Sequence, residues 1–401
     1  MKKTHLFLLP IIAIVLLVTA CEGGVATATL SSDQATAVAQ TLTALTPTKS
    51  PTSENTPTIL PTNTATVAPT NTPVPVTAIG PDNFPADVNP LTGLKVEDPT
   101  LLDRRPVMIK VANYPAIGRP HAGLSYADIV WEYYIGGGSN RFMALYYGQD
   151  CEKVGPVRSG RMVDPELVTM YQGVLAFSGA NEENVLPRIN QVLGNRTITE
   201  NVCPGLCRDD WTVTGVFGNT ADITDLMQTR GVDITDPDLT GMLFDTVVPS
   251  GGEEAEKATL FFNYYDKGDW VYDQESGKYL RWIEDGYNYD LMIPLVDRLT
   301  NEQLAFSNVI MVYAYYTERT SVLHEIGIWD NTEGQKAVVF RDGQAFDVIW
   351  KTTNQERPMQ FFDEEGNLFP LKPGNTWIGL IGTTSTVQVS DGDWTFTFSI
   401  P

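Results

Sequence analysis

Two arginines three residues apart, in a glycine-containing turn, are the residues best placed to do chemistry in this sequence. Arg158 and Arg161 lie in the stretch 155–166, and Asp164 and Pro165 follow them at once. Asp is a favoured helix N-cap and Pro a favoured first helical residue, so a helix is predicted to begin there. Guanidinium groups beside the free N–H groups of a helix start favour anions. The sequence therefore offers one concentrated cationic site.

Further polar residues are predicted to line the same site. Ser178 and Asn181 lie between a predicted strand and a predicted helix, the usual place for ligand contacts in sheets with intervening helices. The candidate anion-binding residues are Arg141, Arg158, Arg161, Ser159, Ser178 and Asn181. The structural alternative is that the arginines pair inside the fold with supporting acids, namely Asp128, Glu132 and Asp164. Both interpretations stay open, and no catalytic residue is assigned.

The overall charge is strongly acidic. The 401 residues include 49 Asp and Glu against 27 Lys and Arg, a formal net charge of −22. Removing the first 20 residues, which hold Lys2 and Lys3 and no acid, gives −22 − 2 = −24. Phosphate backbones repel such a surface, and no long basic run offsets it. We therefore expect no nucleic-acid partner.

The N-terminus has the pattern of a bacterial lipoprotein signal peptide over residues 1–20. Lys2 and Lys3 precede an apolar segment, residues 6–17, that is too short to span a bilayer. The small residue Ala20 directly before Cys21 resembles the lipobox of bacterial lipoproteins. That resemblance implies cleavage before Cys21, diacylation of its thiol (palmitate is the expected acyl type) and anchoring at the outer face of the membrane. The alternative is an ordinary signal peptide with an incidental cysteine.

A Thr-, Ala- and Pro-rich stretch follows the anchor. Residues 21–86 include Thr-Pro-Thr and Asn-Thr-Pro repeats and few large apolar side chains. This composition cannot bury a core, so we predict a disordered linker that proline stiffens. Such a linker would lift the globular part off the membrane, toward the cell wall.

Three cysteines remain after the anchor. Thiols outside the cytoplasm tend to be oxidised, and only a turn-forming Pro-Gly-Leu separates Cys203 from Cys207, which favours a disulfide between them. Pairing of Cys151 with either one stays open. The mature chain has two histidines, His121 in an expected exposed loop and His324 in a strand-like stretch. With so few imidazoles and no second cysteine pair, we predict no metal site and no cofactor.

Residues 87–250 are predicted to form an α/β domain that positions the arginines. Apolar runs typical of strands are Val107–Val111, Ile129–Ile135, Phe142–Tyr147 and Val174–Phe177. Helical patterns occupy residues 165–172, 182–193 and 220–230. The Gly-rich stretch 136–138 joins two predicted strands. Because no helix follows it, a hairpin loop is favoured over a phosphate cradle.

Residues 258–401 are predicted to form a mainly antiparallel β domain after a polar break at 250–257. Strand-like runs flank Asp342-Gly343 and Asp391-Gly392, and Asp-Gly is a strong hairpin signal. The predicted fold class is therefore α+β, an N-terminal α/β domain followed by a β domain. Aromatic residues are dense in the second domain. Most should be core or cross-strand pairs, and a sugar-stacking face is the alternative.

Several short motifs then occur in a fixed order along the chain. They are Asn89-Pro90-Leu91-Thr92-Gly93, Arg105-Pro106-Val107-Met108, Arg119-Pro120, Ala127-Asp128-Ile129-Val130-Trp131-Glu132, Arg141-Phe142, Gly155-Pro156-Val157-Arg158-Ser159, and Asp297 with Thr300, Gln303-Leu304 and Asn308-Val309. From residue 87 to the end the chain resembles the YerB-like lipoproteins, a bacterial family with N- and C-terminal parts of unknown function. The resemblance implies an exported lipoprotein of the cell envelope, with no established enzymatic activity to inherit. The chain departs from the family's Pro-His-Asn-like pattern at residues 217–219, where the imidazole is absent.

Two functions are compatible with these patterns. The first is a membrane-anchored, non-catalytic protein that binds a cell-wall glycan or an envelope protein. The second is an enzyme that acts on anionic, phosphate-bearing substrates of the cell envelope. In this sequence a strand, an acidic residue, a second strand and an arginine-bearing turn follow one another. This order resembles that of the LytR-CpsA-Psr phosphotransferases, which hold a lipid-linked pyrophosphate with arginines. A Ser-His-Asp hydrolase is disfavoured, because neither Ser159 nor Ser178 has a histidine nearby in the sequence.

Overall fold

Strands dominate the part of the chain that the computed structural model describes, residues 77–199 and 202–401. Within it the α-helices are α1 Asp164–Met170, α2 Val185–Leu193 and α3 Thr220–Thr229. Short 3₁₀ turns lie at Pro99–Asp103, Ala116–Gly118 and Leu124–Tyr126. The side chain of Asn219 caps α3 by accepting from the backbone N–H of Asp222, and Asn is a favoured N-cap residue.

The strands divide between the two halves of the sequence. The first half contains β1 Val107–Ala112, β2 Ile129–Gly136, β3 Ser139–Tyr146, β4 Val174–Phe177, β5 Thr197–Thr199, β6 Leu206–Arg208 and β7 Val216–Gly218. The second half contains β8 Glu253–Glu254, β9 Lys257–Asn263, β10 Asp266–Asp273, β11 Lys278–Glu284, β12 Met292–Pro294, β13 Ala305–Phe306, β14 Asn308–Thr320, β15 Leu323–Gly327, β16 Gln335–Arg341, β17 Gln344–Lys351, β18 Gln360–Phe362, β19 Thr376–Gly382, β20 Thr386–Ser390 and β21 Asp393–Thr397.

The larger sheet joins both halves of the chain. Its order is β18-β17-β16-β14-β19-β2-β3-β1-β4-β5, with β15 beside β14 and β8 beside β17. Strand β19, from the end of the sequence, lies between β14 and β2 and runs parallel to both. The backbone groups of β2 are therefore satisfied on one side by a strand nearly 250 residues later in the chain.

A smaller sheet packs on one face of the larger one. Its order is β12-β11-β10-β9-β21-β20, with β13 beside β11. Trp377 of β19 meets Trp270 of β10 and Phe306 of β13 edge to face, with ring centroids 5.7 and 5.1 Å apart. The opposite face of the larger sheet carries Trp131, whose ring lies 6.0 Å from that of Tyr171, next to α1. The fold is thus layered, with an aromatic core between the sheets.

A buried ion pair crosses between the two sheets. The carboxylate of Glu132 on β2 accepts from Nη2 of Arg281 on β11 at 3.2 Å and from Nε1 of Trp377 at 2.9 Å. The side-chain amide of Asn140 also donates to Glu132. The Arg281 guanidinium lies 4.1 Å from the centroid of the Trp270 ring. Burial raises the pKa of Glu132, and the charge of Arg281 opposes that rise.

The sequence predictions agree with this fold in their coarser form. An α+β, strand-rich chain is confirmed, and the stretch 136–138 does join β2 and β3 as a hairpin. A separate N-terminal α/β domain is not confirmed, because strands from 87–250 and from 258–401 share the larger sheet. All described residues belong to one compact unit. The predicted boundary at 250–258 separates two parts of the sequence, but the larger sheet contains strands from both sides of it.

The predicted linker 21–86 extends too far into the fold. The described chain begins at residue 77, and Ile79 exchanges two backbone hydrogen bonds with Phe244, at 2.7 and 2.9 Å. The composition of the stretch hid this pairing, because the partner residue lies far away in the sequence. Residues 1–76, with the predicted signal peptide and Cys21, lie outside the described residues. No helix among the described residues is long and apolar enough to cross a membrane.

Replacing Gly268 with alanine should disrupt the joint between the sheets. A Cβ at this position of β10 would lie 1.5 Å from Nη1 of Arg281, so the guanidinium would have to leave its place opposite Glu132. Breaking a buried pair of this kind costs about 3–5 kcal/mol of unfolding free energy. Urea denaturation of the chain truncated before residue 77 measures the loss. Gly327→Ala is the matched control, since its Cβ would make only ordinary contacts at 3.7 Å. Equal stability of the two variants would contradict the assignment.

Candidate functional site

Alternation along three strands brings polar side chains to the face of the larger sheet that α1 covers. Successive side chains of a strand point to opposite faces. Glu132 therefore faces the smaller sheet, whereas its neighbour Tyr133 faces α1. Arg141 is directly opposite Tyr133 in the β2–β3 ladder. Lys110, between Ile109 and Val111 of β1, points to that same side.

Lys110, Tyr133 and Asp164 form a closed network beneath α1. Nζ of Lys110 lies 3.2 Å from Oδ1 of Asp164, and all three side chains are buried. The Tyr133 hydroxyl donates to the same oxygen and accepts from Lys110. The other oxygen, Oδ2, accepts from the backbone N–H of Arg161 at 2.7 Å. Asp164 is thus not the N-cap that the sequence predicts. Val163 holds that position, and Asp164 is the first helical residue, turned inward.

Above this network, the guanidinium groups of Arg141 and Arg161 meet at the Ser159 carbonyl, and the charge of Arg158 acts on Arg141 from nearby. Nη1 of Arg141 donates to the Ser159 carbonyl at 2.7 Å. Nη1 of Arg161 donates to the carbonyls of Gly160 and Ser159, at 2.8 and 3.3 Å. Nη1 of Arg158 donates to the carbonyl of Val213 at 2.8 Å. Within residues 77–199 and 202–401 no carboxylate lies within ion-pair distance of any of the three. We call Arg141, Arg158 and Arg161 the arginine cluster.

The turn that carries the cluster is fixed by its neighbours. The N–H of Arg158 donates to the Lys110 carbonyl on β1 at 2.9 Å, and the Arg158 carbonyl accepts from Ser178 at 3.0 Å. The N–H of Gly160 donates to Gly179 at 2.9 Å. Exposed Gly179 has φ +70°, and a Cβ there would lie 4.0 Å from Oγ of Ser159. The cluster therefore lies where β1 and the parallel strand β4 end, as ligand sites in such sheets do.

Mutual repulsion and burial define the electrostatics of the site. Burial lowers the pKa of Arg141, and the charges of Arg161 and Arg158 lower it further. Burial also lowers the pKa of Arg161, against the pull of Asp164. The pKa of Lys110 falls to about 7, chiefly through burial, with Arg161 and Arg141 adding to the fall and Asp164 opposing it. An anion placed on the cluster would relieve this repulsion.

The structure brings together most of the predicted site residues. Arg141, Arg158, Arg161, Ser159 and Ser178 are neighbours through the contacts above. Asn181 is exposed on the following loop, where its Oδ1 accepts from the backbone N–H of Asn184 at 2.8 Å.

Two of the three predicted supporting acids lie elsewhere. Asp128 accepts from Asn89 at 3.0 Å and from the backbone N–H groups of Tyr147 and Gly148. Burial raises its pKa to about 6. Glu132 is committed to Arg281. Of the three acids named in the structural alternative, Asp164 is beside the arginine cluster, whereas Asp128 and Glu132 have other partners.

Sequence reasoning missed Lys110 and Tyr133. The signal for Lys110 was a single charged residue within the apolar run Val107–Val111, in a strand that the structure buries entirely. A lysine is rarely buried without a partner, so a lysine at this position predicts a carboxylate from elsewhere in the fold. Nothing in the sequence points to Asp164 as that partner. Tyr133 gave no separate signal.

The histidines and cysteines lie outside the cluster. His121 is buried, not exposed as expected. Its Nε2 lies 2.8 Å from the Ala112 carbonyl, and burial lowers its pKa to about 3. His324 is buried in β15, beside Glu318. A disulfide joins Cys203 to Cys207, and Cys151 is a buried free thiol. The described residues contain no group of three or more His, Cys, Asp or Glu side chains suited to a metal ion.

Other surface features are separate from the cluster. A cleft of about 820 Å³ borders Asp128 and Asn89, and one of about 680 Å³ borders Glu254 and Asp342. Neither is lined by the arginine cluster. Among the aromatic residues of the second half, Trp270 and Tyr279 are buried core residues, whereas Tyr264, Tyr265 and Tyr287 are exposed.

Comparison with known proteins places the chain in a family. Residues 91–233 match the N-terminal domain of a protein family of unknown function, DUF3048, and residues 258–378 match the C-terminal domain of the same family. The chain belongs to the DUF3048 family. The two matched segments leave only residues 234–257 between them.

This DUF3048 protein is similar to one named relative in sequence and to one solved structure in fold. A protein of Bacillus subtilis (strain 168) named "Putative lipoprotein YerB" is 26% identical over 322 residues, which cover 76% of this chain and 89% of that protein. The crystal structure of YerB protein from Bacillus subtilis superposes with a TM-score of 0.61 at 24% identity, over 73% of this chain and 96% of that one. At this identity the likeness concerns the fold alone.

Lys110 should make the stability of this DUF3048 protein depend on pH. Its pKa is about 7 in the fold against 10.5 unperturbed, so the unfolded chain binds more protons between these values. The free energy of unfolding should therefore rise with pH across that window, by up to about 1.4 kcal/mol per pH unit, and the contribution to the slope should fade as the pH falls below 7. Urea denaturation at pH 7 and pH 9 measures the rise.

The matched variants for this measurement are Lys110→Met and Lys336→Met. Lys336 is an exposed lysine that pairs with Asp347 on the neighbouring strand, so its loss should leave the pH profile unchanged. Lys110→Met should remove the rise between pH 7 and pH 9. A Lys110→Met profile that is parallel to that of the unmodified chain would show that Lys110 keeps its proton.

Proposed function

We propose that this protein is a lipid-anchored, extracytoplasmic protein of the bacterial cell envelope that binds an anionic group of a cell-wall glycan through the arginine cluster, without transforming it. The observation that carries the proposal is that Arg141, Arg158 and Arg161 come together on carbonyl groups instead of carboxylates. Guanidinium groups are well suited to bind phosphate and carboxylate groups.

The acidic composition strengthens this interpretation. The chain holds 49 acidic residues against 27 basic ones, so each arginine could readily have been paired with a carboxylate. Elsewhere the fold does pair them: Arg104 binds Asp150 at 2.7 Å, and Arg119 binds Glu284 at 2.6 Å. Among the described residues no carboxylate lies within ion-pair distance of the cluster, and the nearby Asp164 already accepts from Lys110 and Tyr133. The remaining positive charge is available to a ligand.

The anchor is supported by two independent observations. Residues 1–20 have the pattern of a signal peptide that ends directly before Cys21. The relative YerB carries the word lipoprotein in its name. Two acyl chains suffice for stable anchoring, and the stretch after Cys21 would hold the fold away from the membrane surface. Such an anchor and linker would bring the arginine cluster within reach of wall polymers.

Lipidation is tested by substituting Cys21. Cys21→Ala should abolish incorporation of a fatty-acid analogue in labelled cells, because the thiol is the proposed acylation site. The mutant should also remain as uncleaved precursor or leave the membrane fraction. Cys151→Ala is the control, since that buried thiol should take no label. Equal labelling of Cys21→Ala and the unmodified chain would contradict the lipoprotein proposal.

Ligand binding is tested by substituting the two half-buried arginines. Arg158→Gln and Arg161→Gln should each weaken binding of phosphate-bearing wall fragments about ten- to a hundredfold, since a charge-assisted contact contributes roughly 1.5–3 kcal/mol. The melting temperature should change little, because neither side chain gives up a carboxylate partner. Titration calorimetry and thermal melts measure the two effects.

The control is Arg319→Gln, which removes an exposed arginine paired with Glu325. It should leave binding unchanged. Uncharged glycan fragments of equal length should not bind detectably through the cluster. Unaltered affinity in both cluster variants would overturn the anion-binding proposal. Release of a cleaved or transferred phosphate product would instead favour an enzyme that resembles the LytR-CpsA-Psr phosphotransferases.

A further inference from the structure

We infer that Lys110 is a fourth cation of the site and takes up a proton when an anion binds the arginine cluster, so that binding is tightest at and below neutral pH. This inference rests on the function proposed above. It concerns a residue that touches no ligand directly. Lys110 is a positioning residue that acts on the ligand through the charge it adds beneath Arg141 and Arg161.

The geometry makes Lys110 the group that responds to the cluster. Its Nζ is completely buried and has two polar partners, Oδ1 of Asp164 at 3.2 Å and the Tyr133 hydroxyl. Nζ also lies 3.8 Å from the centroid of the Tyr133 ring. The charged groups that act on it are Asp164 from α1, Arg161 from the turn before α1, and Arg141 from β3. One carboxylate thus faces three neighbouring cations, Lys110 included.

This imbalance decides which group releases a proton. A guanidinium holds its proton far more tightly than an ammonium group does. When burial and repulsion disfavour so many positive charges in one place, the lysine is therefore the one that becomes neutral. The pKa of Lys110, at about 7, agrees with this expectation. The empty cluster then holds its arginines charged above a lysine that is about half protonated at neutral pH.

An anion on the cluster reverses the balance. Its negative charge offsets the repulsion that Arg141 and Arg161 exert on Lys110, so the bound state favours the ammonium form. The proton comes from solvent and is carried by Nζ, which then donates to Asp164 and Tyr133. By linkage, a group that gains a proton on binding makes affinity fall as the pH rises above its pKa in the free protein. Below that pKa the lysine is already protonated, and affinity no longer changes.

The test is calorimetric titration of the full chain with sulfate, whose charge stays constant between pH 6 and pH 8. Repeating each titration in two buffers of different ionisation enthalpy gives the number of protons taken up. We expect about one proton at pH 8, close to none at pH 6, and roughly five- to tenfold weaker sulfate binding at pH 8 than at pH 6. These numbers come from the unmodified chain, so they do not depend on any variant folding.

Two variants assign the proton to Lys110. Lys110→Met should abolish both the proton uptake and the pH dependence while sulfate still binds, and Lys336→Met should change neither. Sulfate binding at pH 8 without proton uptake would overturn this inference and leave the proposed function standing. Uptake that persists in Lys110→Met would overturn the assignment to Lys110. Failure of sulfate to bind at any pH would count against the arginine cluster itself, and the inference would fall with it.

Discussion

The ion pair between Glu132 and Arg281 is the interaction on which the rest of this structure depends. It lies between the two sheets, where a lone charge would be costly, and Trp377, Asn140 and Trp270 complete its surroundings. Glu132 belongs to the first half of the sequence and Arg281 to the second. The pair therefore ties together the same two halves that β19 joins by its backbone.

The same strand that supplies Glu132 also builds the candidate site. Because side chains alternate along β2, fixing Glu132 between the sheets places Tyr133 on the opposite face, beside Lys110 and Asp164. The two faces differ in their charge balance. Between the sheets Arg281 has Glu132 as its acid, whereas on the face that α1 covers Asp164 is the carboxylate beside Lys110, Arg141 and Arg161. An excess of positive charge in so acidic a chain is the physical reason to place an anionic ligand there.

Much of this could be predicted from the sequence, and the reasons for the failures are specific. Local patterns found β4 and the 136–138 hairpin, because each depends on residues close together in the chain. The sequence also grouped Arg141, Arg158 and Arg161 as candidate anion-binding residues, although the strand order that brings Arg141 beside the turn was not predicted. The insertion of β19 beside β2, the pairing of Ile79 with Phe244 and the Lys110–Asp164 contact are long-range. No local pattern records them, so the predicted domain division, linker end and supporting acids were the parts that the structure did not confirm.

The most direct test of this account is a crystal of the chain from residue 77 onward soaked in selenate, an anion that anomalous scattering locates without ambiguity. If the arginine cluster binds anions, an anomalous peak should lie within hydrogen-bond distance of guanidinium nitrogens from at least two of Arg141, Arg158 and Arg161. Selenate found only at other surface sites, with the three guanidinium groups turned toward carboxylates, would contradict it.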